Sequence, residues 1–169
     1  MTAEHEIRNL LFRYCWLVDQ GKYDELAEMF DEADIYFQDT LAIHHDKVAY
    51  ANSFKQSNIH YEPDNSLRTT HMCIDPYILI DEENGTASAM HYTVVLQGMT
   101  NRFPPQIICI DLKYDTFKRT PEGKWKFASR KMGNRCLGDM SFHQINPNLG
   151  EMEYFQPENT LYFKECQEI

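Results

Sequence analysis

The spacing of hydrophobic and polar residues separates a helical first third of the chain from a strand-rich remainder. Gly21 is suited to end a first helix, because glycine adopts the left-handed conformation that often follows a last helical turn. Before it, an apolar stripe at three- and four-residue intervals predicts an amphipathic helix over about residues 3–20. The members of this stripe are Ile7, Leu10, Leu11, Tyr14, Leu17 and Val18.

Three shorter elements are predicted before residue 60. The segment KYDELAEMF, residues 22–30, has the apolar face of a second helix. The segment ADIYF, residues 33–37, is predicted to be a brief strand, and residues 46–56 are predicted to form a third helix.

Four long β-type segments follow, at residues 68–81, 86–99, 105–119 and 124–132. Asn84-Gly85 is a hairpin signal between the first two. Helices followed by an antiparallel meander indicate an α+β fold and not an alternating βαβ one. We expect the mostly antiparallel sheet to curl strongly, with the helices packed on its concave face and a pocket at the open end of the resulting cone.

Length and composition narrow the class of protein. The 169 residues are long enough for one domain with a sizeable core. A net charge of −10 argues against a nucleic-acid partner, and no apolar run is long enough to predict a membrane span. The N-terminus is polar, so no signal peptide is predicted. The five cysteines are scattered along the chain, and this spacing is typical of free thiols in a reducing compartment such as the cytoplasm.

The end of the chain is expected to differ from the rest. We expect residues 1–134 to form the cone and residues 135–169 to form a C-terminal extension. This extension carries turn signals together with the aromatic residues Phe142, Tyr154, Phe155, Tyr162 and Phe163. A disordered acidic tail would be poorer in aromatics. We therefore expect it to pack on the body, on a partner subunit or across the mouth of the pocket.

The order of elements resembles the SnoaL-like branch of the NTF2-like (cystatin-fold) superfamily. The resemblance covers about residues 5–132 and rests on YCWLVDQGKYDELAEMF, LRTTHM and YDTFKRTPEGKWKFASR. Within the superfamily the chain looks most similar to the group of scytalone dehydratase, hexachlorocyclohexane dehydrochlorinase and bile-acid dehydratase. The resemblance implies an Asp–His pair inside the cone, in which the Asp closes the first helix and the His opens the first long strand.

Carried over to this sequence, the pair falls on Asp19 and His71. Tyr14 matches a tyrosine of the bile-acid dehydratase, and Arg130 matches a basic residue of the dehydrochlorinase. These four residues are the predicted catalytic set, with Arg130 expected at the pocket wall, where it would steady an enolate or a leaving anion.

Three further residues are candidates for contact with substrate. The second catalytic histidine of scytalone dehydratase falls near Gln97, and one of its water-holding tyrosines falls near Phe37. His91 lies in the middle of the second long strand, although strand alternation alone does not decide which face it takes.

The chemistry of an Asp–His pair supports a catalytic role for it independently of the resemblance to the family. Free imidazole has a pKa of about 6.5, so near neutral pH it both takes and returns a proton. A carboxylate on the second ring nitrogen fixes the tautomer and stabilises the imidazolium as it forms. Such a base removes a proton next to a carbonyl without a metal or a cofactor.

We therefore expect a cofactor-independent lyase or isomerase, resembling a dehydratase or a cyclase. Its substrate would be a hydrophobic small molecule, and its assembly a homodimer or a homotrimer. The alternative is a non-catalytic NTF2-like module: a ligand-binding cone, or a partner subunit similar to the small chain of ring-hydroxylating dioxygenases.

A purely structural role is the alternative interpretation for several candidate residues. Asp19 is suited to bond the turn after its helix, Tyr14 belongs to the apolar stripe, and Arg130 is suited to a salt bridge on the sheet. The alternating charges Asp111, Lys113 and Asp115 are typical of a solvated or cross-strand paired face. His44, His45 and Asp46 have the composition of a metal cluster, but adjacent side chains normally diverge, so no metal site is predicted.

Overall fold

The computed structural model describes residues 1–146, which form three helices and six strands. In chain order they are α1 (Ala3–Asp19), α2 (Tyr23–Glu28), β1 (Asp34–Phe37), β2 (Thr40–His44), α3 (Lys47–Ser57), β3 (Thr69–Asp81), β4 (Thr86–Met99), β5 (Phe103–Arg119) and β6 (Trp125–Leu137). None of these three helices is both long enough and apolar enough to cross a membrane.

One curved, unclosed sheet carries all six strands in the order β2-β1-β6-β5-β4-β3. The strands β3 to β6 form the antiparallel meander, and β1 adds to it in parallel beside β6. The helices pack on this sheet, so the predicted α+β fold is confirmed. The strand β2 was not predicted, because its five residues offer only two large apolar positions, Leu41 and Ile43.

The helix α1 begins and ends where the sequence predicts. The side chain of Thr2 caps its first turn by accepting a hydrogen bond from the amide of His5, at 3.3 Å. Its apolar stripe is buried against the sheet, mainly against β3. Gly21 follows the last turn with φ +65°, and the amide of Lys22 donates to the Leu17 carbonyl. Asp19 is therefore the last helical residue, facing the start of β3.

An aromatic cluster fills the core between the helices and the sheet. The ring of Phe30, just after α2, stacks on Phe127 of β6 with centroids 4.3 Å apart. The same ring contacts Tyr50 of α3 at 4.9 Å and the edge of Tyr14 at 6.0 Å. This packing holds Tyr14 of α1 over the inner face of the sheet.

The strand β6 continues to Leu137, and the following segment returns across the open end of the sheet. The amide of Gly138 donates to the carbonyl of Ile108, and the buried Met140 packs against Ile108 and Val95. The start of the predicted C-terminal extension therefore lies against the body. Its later aromatic residues, Tyr154, Phe155, Tyr162 and Phe163, lie outside the described residues.

Replacing Gly21 with alanine tests how tightly the end of α1 is fixed. A Cβ at Gly21 would lie 3.0 Å from the backbone oxygen of Asn65, which is too close for an ordinary contact. A residue other than glycine also loses about 1–2 kcal/mol of stability in the left-handed backbone conformation found there. Gly123→Ala is the matched control, since Gly123 has φ +80° but open space around it. We expect urea unfolding to show a larger loss of stability for Gly21→Ala. Equal losses would mean that the contact with Asn65 is irrelevant.

Candidate active site

The carboxylate of Asp19 joins the end of α1 to the first residues of β3. Its Oδ1 accepts hydrogen bonds from Thr69 Oγ1 at 2.7 Å and from His71 Nδ1 at 2.6 Å. Its Oδ2 accepts from the backbone amide of His71 at 2.8 Å. Because a carboxylate accepts hydrogen bonds, Nδ1 carries a proton, and in the neutral ring Nε2, on the edge that faces away from Asp19, is the acceptor.

The negative charge of Asp19 at the end of α1 is compensated by its hydrogen-bond partners. The C-terminal end of a helix disfavours negative charge, and α1 has no basic residue in its last turn to compensate Asp19. The three hydrogen bonds supply that compensation. The side chains of His71 and Asp19 are only 8% and 13% exposed, so water competes little for the contact.

A cavity of about 300 Å³ lies under this pair, between the helices and the inner face of the sheet. Its size is at the lower end of the range for small-molecule pockets. Much of the wall is apolar and includes Val18, Phe37, Phe54, Val95, Met132 and Met140. The polar part of the wall includes Tyr14, Asn58, His71, Lys113 and His143. Of the sequence-predicted site residues, His71, Tyr14 and Phe37 line the cavity.

Lys113 of β5 supplies the positive charge at the cavity wall. Its Nζ lies 3.4 Å from the Tyr14 hydroxyl and 3.7 Å from Asp111 Oδ2. Burial lowers the pKa of Lys113, but Tyr14 and the Asp111 carboxylate more than offset this effect, so the pKa lies above its ordinary value. The ammonium group is therefore charged at neutral pH and points its charge at the phenol oxygen.

Arg130 does not line this cavity, whereas the sequence placed it at the pocket wall to steady a substrate anion. Its side chain is fully buried, and its Nε and one terminal nitrogen each donate to Asp115 at 2.7 Å. The guanidinium also lies 3.8 Å from the centroid of the Tyr14 ring. Burial raises the pKa of Asp115, but Arg130 and His91 together hold it well below its usual range.

His91 belongs to the same buried network and does not line the cavity, contrary to the expectation of substrate contact. Its Nε2 donates to Asp115 Oδ2 at 3.0 Å, and its Nδ1 lies 3.3 Å from the thiol of Cys73. Burial lowers the pKa of His91, so the ring is neutral and Nδ1 accepts from the thiol. Burial also raises the pKa of Cys73 to about 12, which leaves a protonated thiol that is a poor nucleophile.

Comparison of the sequence with models of protein families identifies the family of this chain. The model of the SnoaL-like domain matches residues 1–131. The chain belongs to the SnoaL-like family. A comparison with curated proteins finds no significant match.

Solved structures support the same fold. An NTF2-like protein with a cystatin-like fold from Novosphingobium aromaticivorans has a TM-score of 0.61 at 21% identity, covering 76% of this chain and 79% of its own. A candidate scytalone dehydratase from the same organism has a TM-score of 0.63 at 20% identity, covering 89% and 95%. ActVI-ORFA from Streptomyces coelicolor has a TM-score of 0.63 at 16% identity, covering 78% and 96%. At these identities the likeness shows the fold alone.

Gln97 departs from the expected role in this SnoaL-like chain. It does not line the cavity with His71; it lines a separate groove of about 700 Å³ beside the β4–β5 hairpin. The side-chain amide is buried and donates to the carbonyls of Leu67 at 3.0 Å and Phe142 at 2.9 Å. Gln97 therefore fastens the segment after β6 to the start of β3.

Lys113 and His143 are among the cavity residues that were not predicted as site residues from the sequence. The alternating charges around Lys113 are typical of a solvated or cross-strand paired face, yet Cys109 and Phe117 continue the same alternation and are buried. That apolar continuation is the signal that the face points inward. His143 gave no signal, because its segment has no periodic pattern and reaches the cavity only through the tertiary fold.

The two adjacent histidines at the end of β2, His44 and His45, do not diverge as expected. His45 has φ +46°, which turns its ring onto His44 with centroids 4.1 Å apart. The partner of both is Asp34 rather than Asp46, with His44 Nδ1 2.6 Å from Asp34 Oδ1. Asp46 instead caps α3 by accepting from the amide of Ala49. The His44–Asp34 hydrogen bond accounts for the arrangement of this exposed group.

Replacing Arg130 with leucine tests whether its role is structural. The variant leaves the Asp115 carboxylate buried without its main partner, which typically costs about 3–5 kcal/mol. Arg8→Leu is the control, since the exposed Arg8–Glu4 pair contributes about 1 kcal/mol or less. Urea unfolding at pH 7 should therefore separate the two variants clearly. A loss at Arg130 as small as the loss at Arg8 would contradict the structural role.

Proposed function

We propose that this SnoaL-like protein is a cofactor-independent lyase or isomerase that removes a proton next to a carbonyl in a hydrophobic small molecule. The observation that carries the proposal is the Asp19–His71 hydrogen bond at the wall of a partly apolar cavity. In the neutral ring this hydrogen bond leaves Nε2 of His71 as the nitrogen that takes up a proton. The candidate scytalone dehydratase among the structural neighbours is consistent with this reaction class.

The reaction begins with the substrate bound against the apolar wall. Nε2 of His71 takes the proton from the carbon, and the ring becomes an imidazolium whose Nδ1–H remains bonded to Asp19. The negative charge moves to the carbonyl oxygen of the substrate as an enolate. Lys113 and the Tyr14 hydroxyl, 3.4 Å apart, are suited to stabilise that oxygen, the role first assigned to Arg130.

The enolate then has two outcomes, which distinguish the reaction subtypes. In an isomerase, the His71 imidazolium returns its proton to a different atom of the substrate. In a dehydratase, a hydroxyl group on the neighbouring carbon leaves, and the same proton converts it to water. Every group that this scheme uses is a side chain, so it requires neither a metal nor a cofactor.

Hydrogen exchange into a small ketone tests the base directly. We expect wild-type protein to speed deuterium uptake from D2O at the α-carbons of 2-tetralone, followed by NMR. In His71→Ala the rate of deuterium uptake should fall by about 100-fold or more, since general base catalysis typically accelerates a reaction by at least that factor. Asp19→Asn should lose most of it, because the tautomer is no longer fixed. His5→Ala, which changes an exposed histidine, is the control.

Two outcomes would count against the proposal. Full exchange in His71→Ala would mean that another group is the base. Binding of 2-tetralone by the wild-type protein without any acceleration of exchange would favour the non-catalytic ligand-binding module instead.

We also propose that the chain assembles as a homodimer or homotrimer through the outer face of the sheet. Apolar side chains of β3 and β4 lie exposed there in adjacent positions, with Ile74 directly opposite Tyr92. Met72, Tyr77 and Leu79 extend the same exposed strip along β3. A continuous exposed apolar face of this kind favours another copy of the same chain as its cover.

Light scattering of a charged variant tests this assembly. Tyr92→Asp places a charge in the middle of the apolar strip and should reduce the measured mass to that of one chain. Val48→Asp is the control, since Val48 is an exposed apolar residue on α3. A monomeric wild-type protein, or a Tyr92→Asp variant of unchanged mass, would contradict the proposal.

A further inference from the structure

We propose that His143 is a second polar group of the active site, whose neutral imidazole donates a hydrogen bond to the reacting oxygen of the substrate. This inference rests on the proposed function, because it assigns the oxygen of the same substrate that His71 deprotonates. It concerns a residue beyond the part of the chain that the family model matches, residues 1–131.

The first support is the position of the ring. His143 lines the same cavity as His71, and the centroids of the two imidazoles are 6.2 Å apart, with planes inclined by 57°. One small molecule that fills a cavity of about 300 Å³ therefore contacts both rings.

The second support is an unsatisfied nitrogen. His143 is only 6% exposed, and its Nδ1 has no hydrogen-bond partner within residues 1–146. A buried polar atom left without a partner costs about 1–3 kcal/mol, so such atoms call for a specific reason. That cost is smallest when Nδ1 is the unprotonated nitrogen of the neutral ring, which places the proton on Nε2 as the donor to a bound oxygen.

The third support is that the backbone around His143 is fixed from several sides. The carbonyl of His143 accepts from the amide of Ile59 at 2.9 Å. The carbonyl of Phe142, the preceding residue, accepts from the Tyr61 hydroxyl at 2.6 Å and from Gln97 at 2.9 Å. Gln97 thus positions a histidine from a different segment of the chain. This preorganisation is what a substrate-binding group requires.

The protonation state fits the role. Burial, reinforced by the positive charge that His71 acquires, lowers the pKa of His143 to about 4. The ring is therefore neutral at pH 7 and presents one N–H donor and one acceptor. A neutral ring adds no second positive charge beside the imidazolium that forms on His71. It stabilises the developing oxyanion by hydrogen bonding alone.

The test compares two ligands that differ by one hydroxyl group. 2-Naphthol mimics the enol of 2-tetralone, and naphthalene has the same rings without the oxygen. We expect the wild-type protein to bind 2-naphthol more tightly than naphthalene. His143→Leu should reduce that preference by about tenfold, the value of one hydrogen bond of about 1.4 kcal/mol, while leaving the affinity for naphthalene unchanged. His143→Gln, which keeps a donor, should restore much of the preference.

The outcomes separate this inference from the proposed function. If naphthalene affinity and the preference for 2-naphthol are both unchanged in His143→Leu, the inference is overturned, even if exchange into 2-tetralone still depends on His71. If both ligands lose affinity equally, His143 only packs against the cavity and the inference is also overturned. If the preference falls while exchange proves independent of His71, His143 is a binding group and the proposed base is wrong.

Discussion

The three hydrogen bonds of the Asp19 carboxylate are the constraint on which the rest of the site depends. They join the last residue of the first helix to the opening of the first long strand, at the point where helix layer and sheet meet. Because both carboxylate oxygens are occupied, the ring of His71 has one orientation and one tautomer. The same contact compensates a charge that the helix end disfavours, so fold and candidate chemistry share one interaction.

The strand β5 carries two other buried charged residues, Lys113 and Asp115, which belong to separate groups of contacts. Lys113 lies beside the Tyr14 hydroxyl and faces the cavity, whereas Asp115, two residues on, bonds Arg130 deeper in the core. The ring of Tyr14 lies between these two groups, in contact with both cations. Arg130 therefore acts on the site through packing and electrostatics, and Lys113 is the cation that a bound substrate would meet.

The parts of the structure that could be predicted from the sequence are those with local signals. The apolar stripe of α1 and Gly21 place Asp19 at a helix end, and the alternating strands place His71 near the start of β3. The inward position of Lys113 has a local signal, since the buried Cys109 and Phe117 lie on the same face of the strand. The choice between Lys113 and Arg130 as the cation at the cavity has none, because the inner faces of both strands are set by the curl of the sheet. His143 was unpredictable for a similar reason, since only tertiary contacts with Gln97 and neighbouring residues bring it to the cavity.

The tautomer of His71 is the most direct test of the account, because it follows from the Asp19 contact and from nothing else. Nitrogen-15 NMR of the histidine side chains distinguishes a protonated ring nitrogen from a bare one in the neutral ring. We expect neutral His71 to carry its proton on Nδ1 and to leave Nε2 bare, and Asp19→Asn to remove this bias. A neutral His71 protonated on Nε2 in the wild-type protein would contradict it.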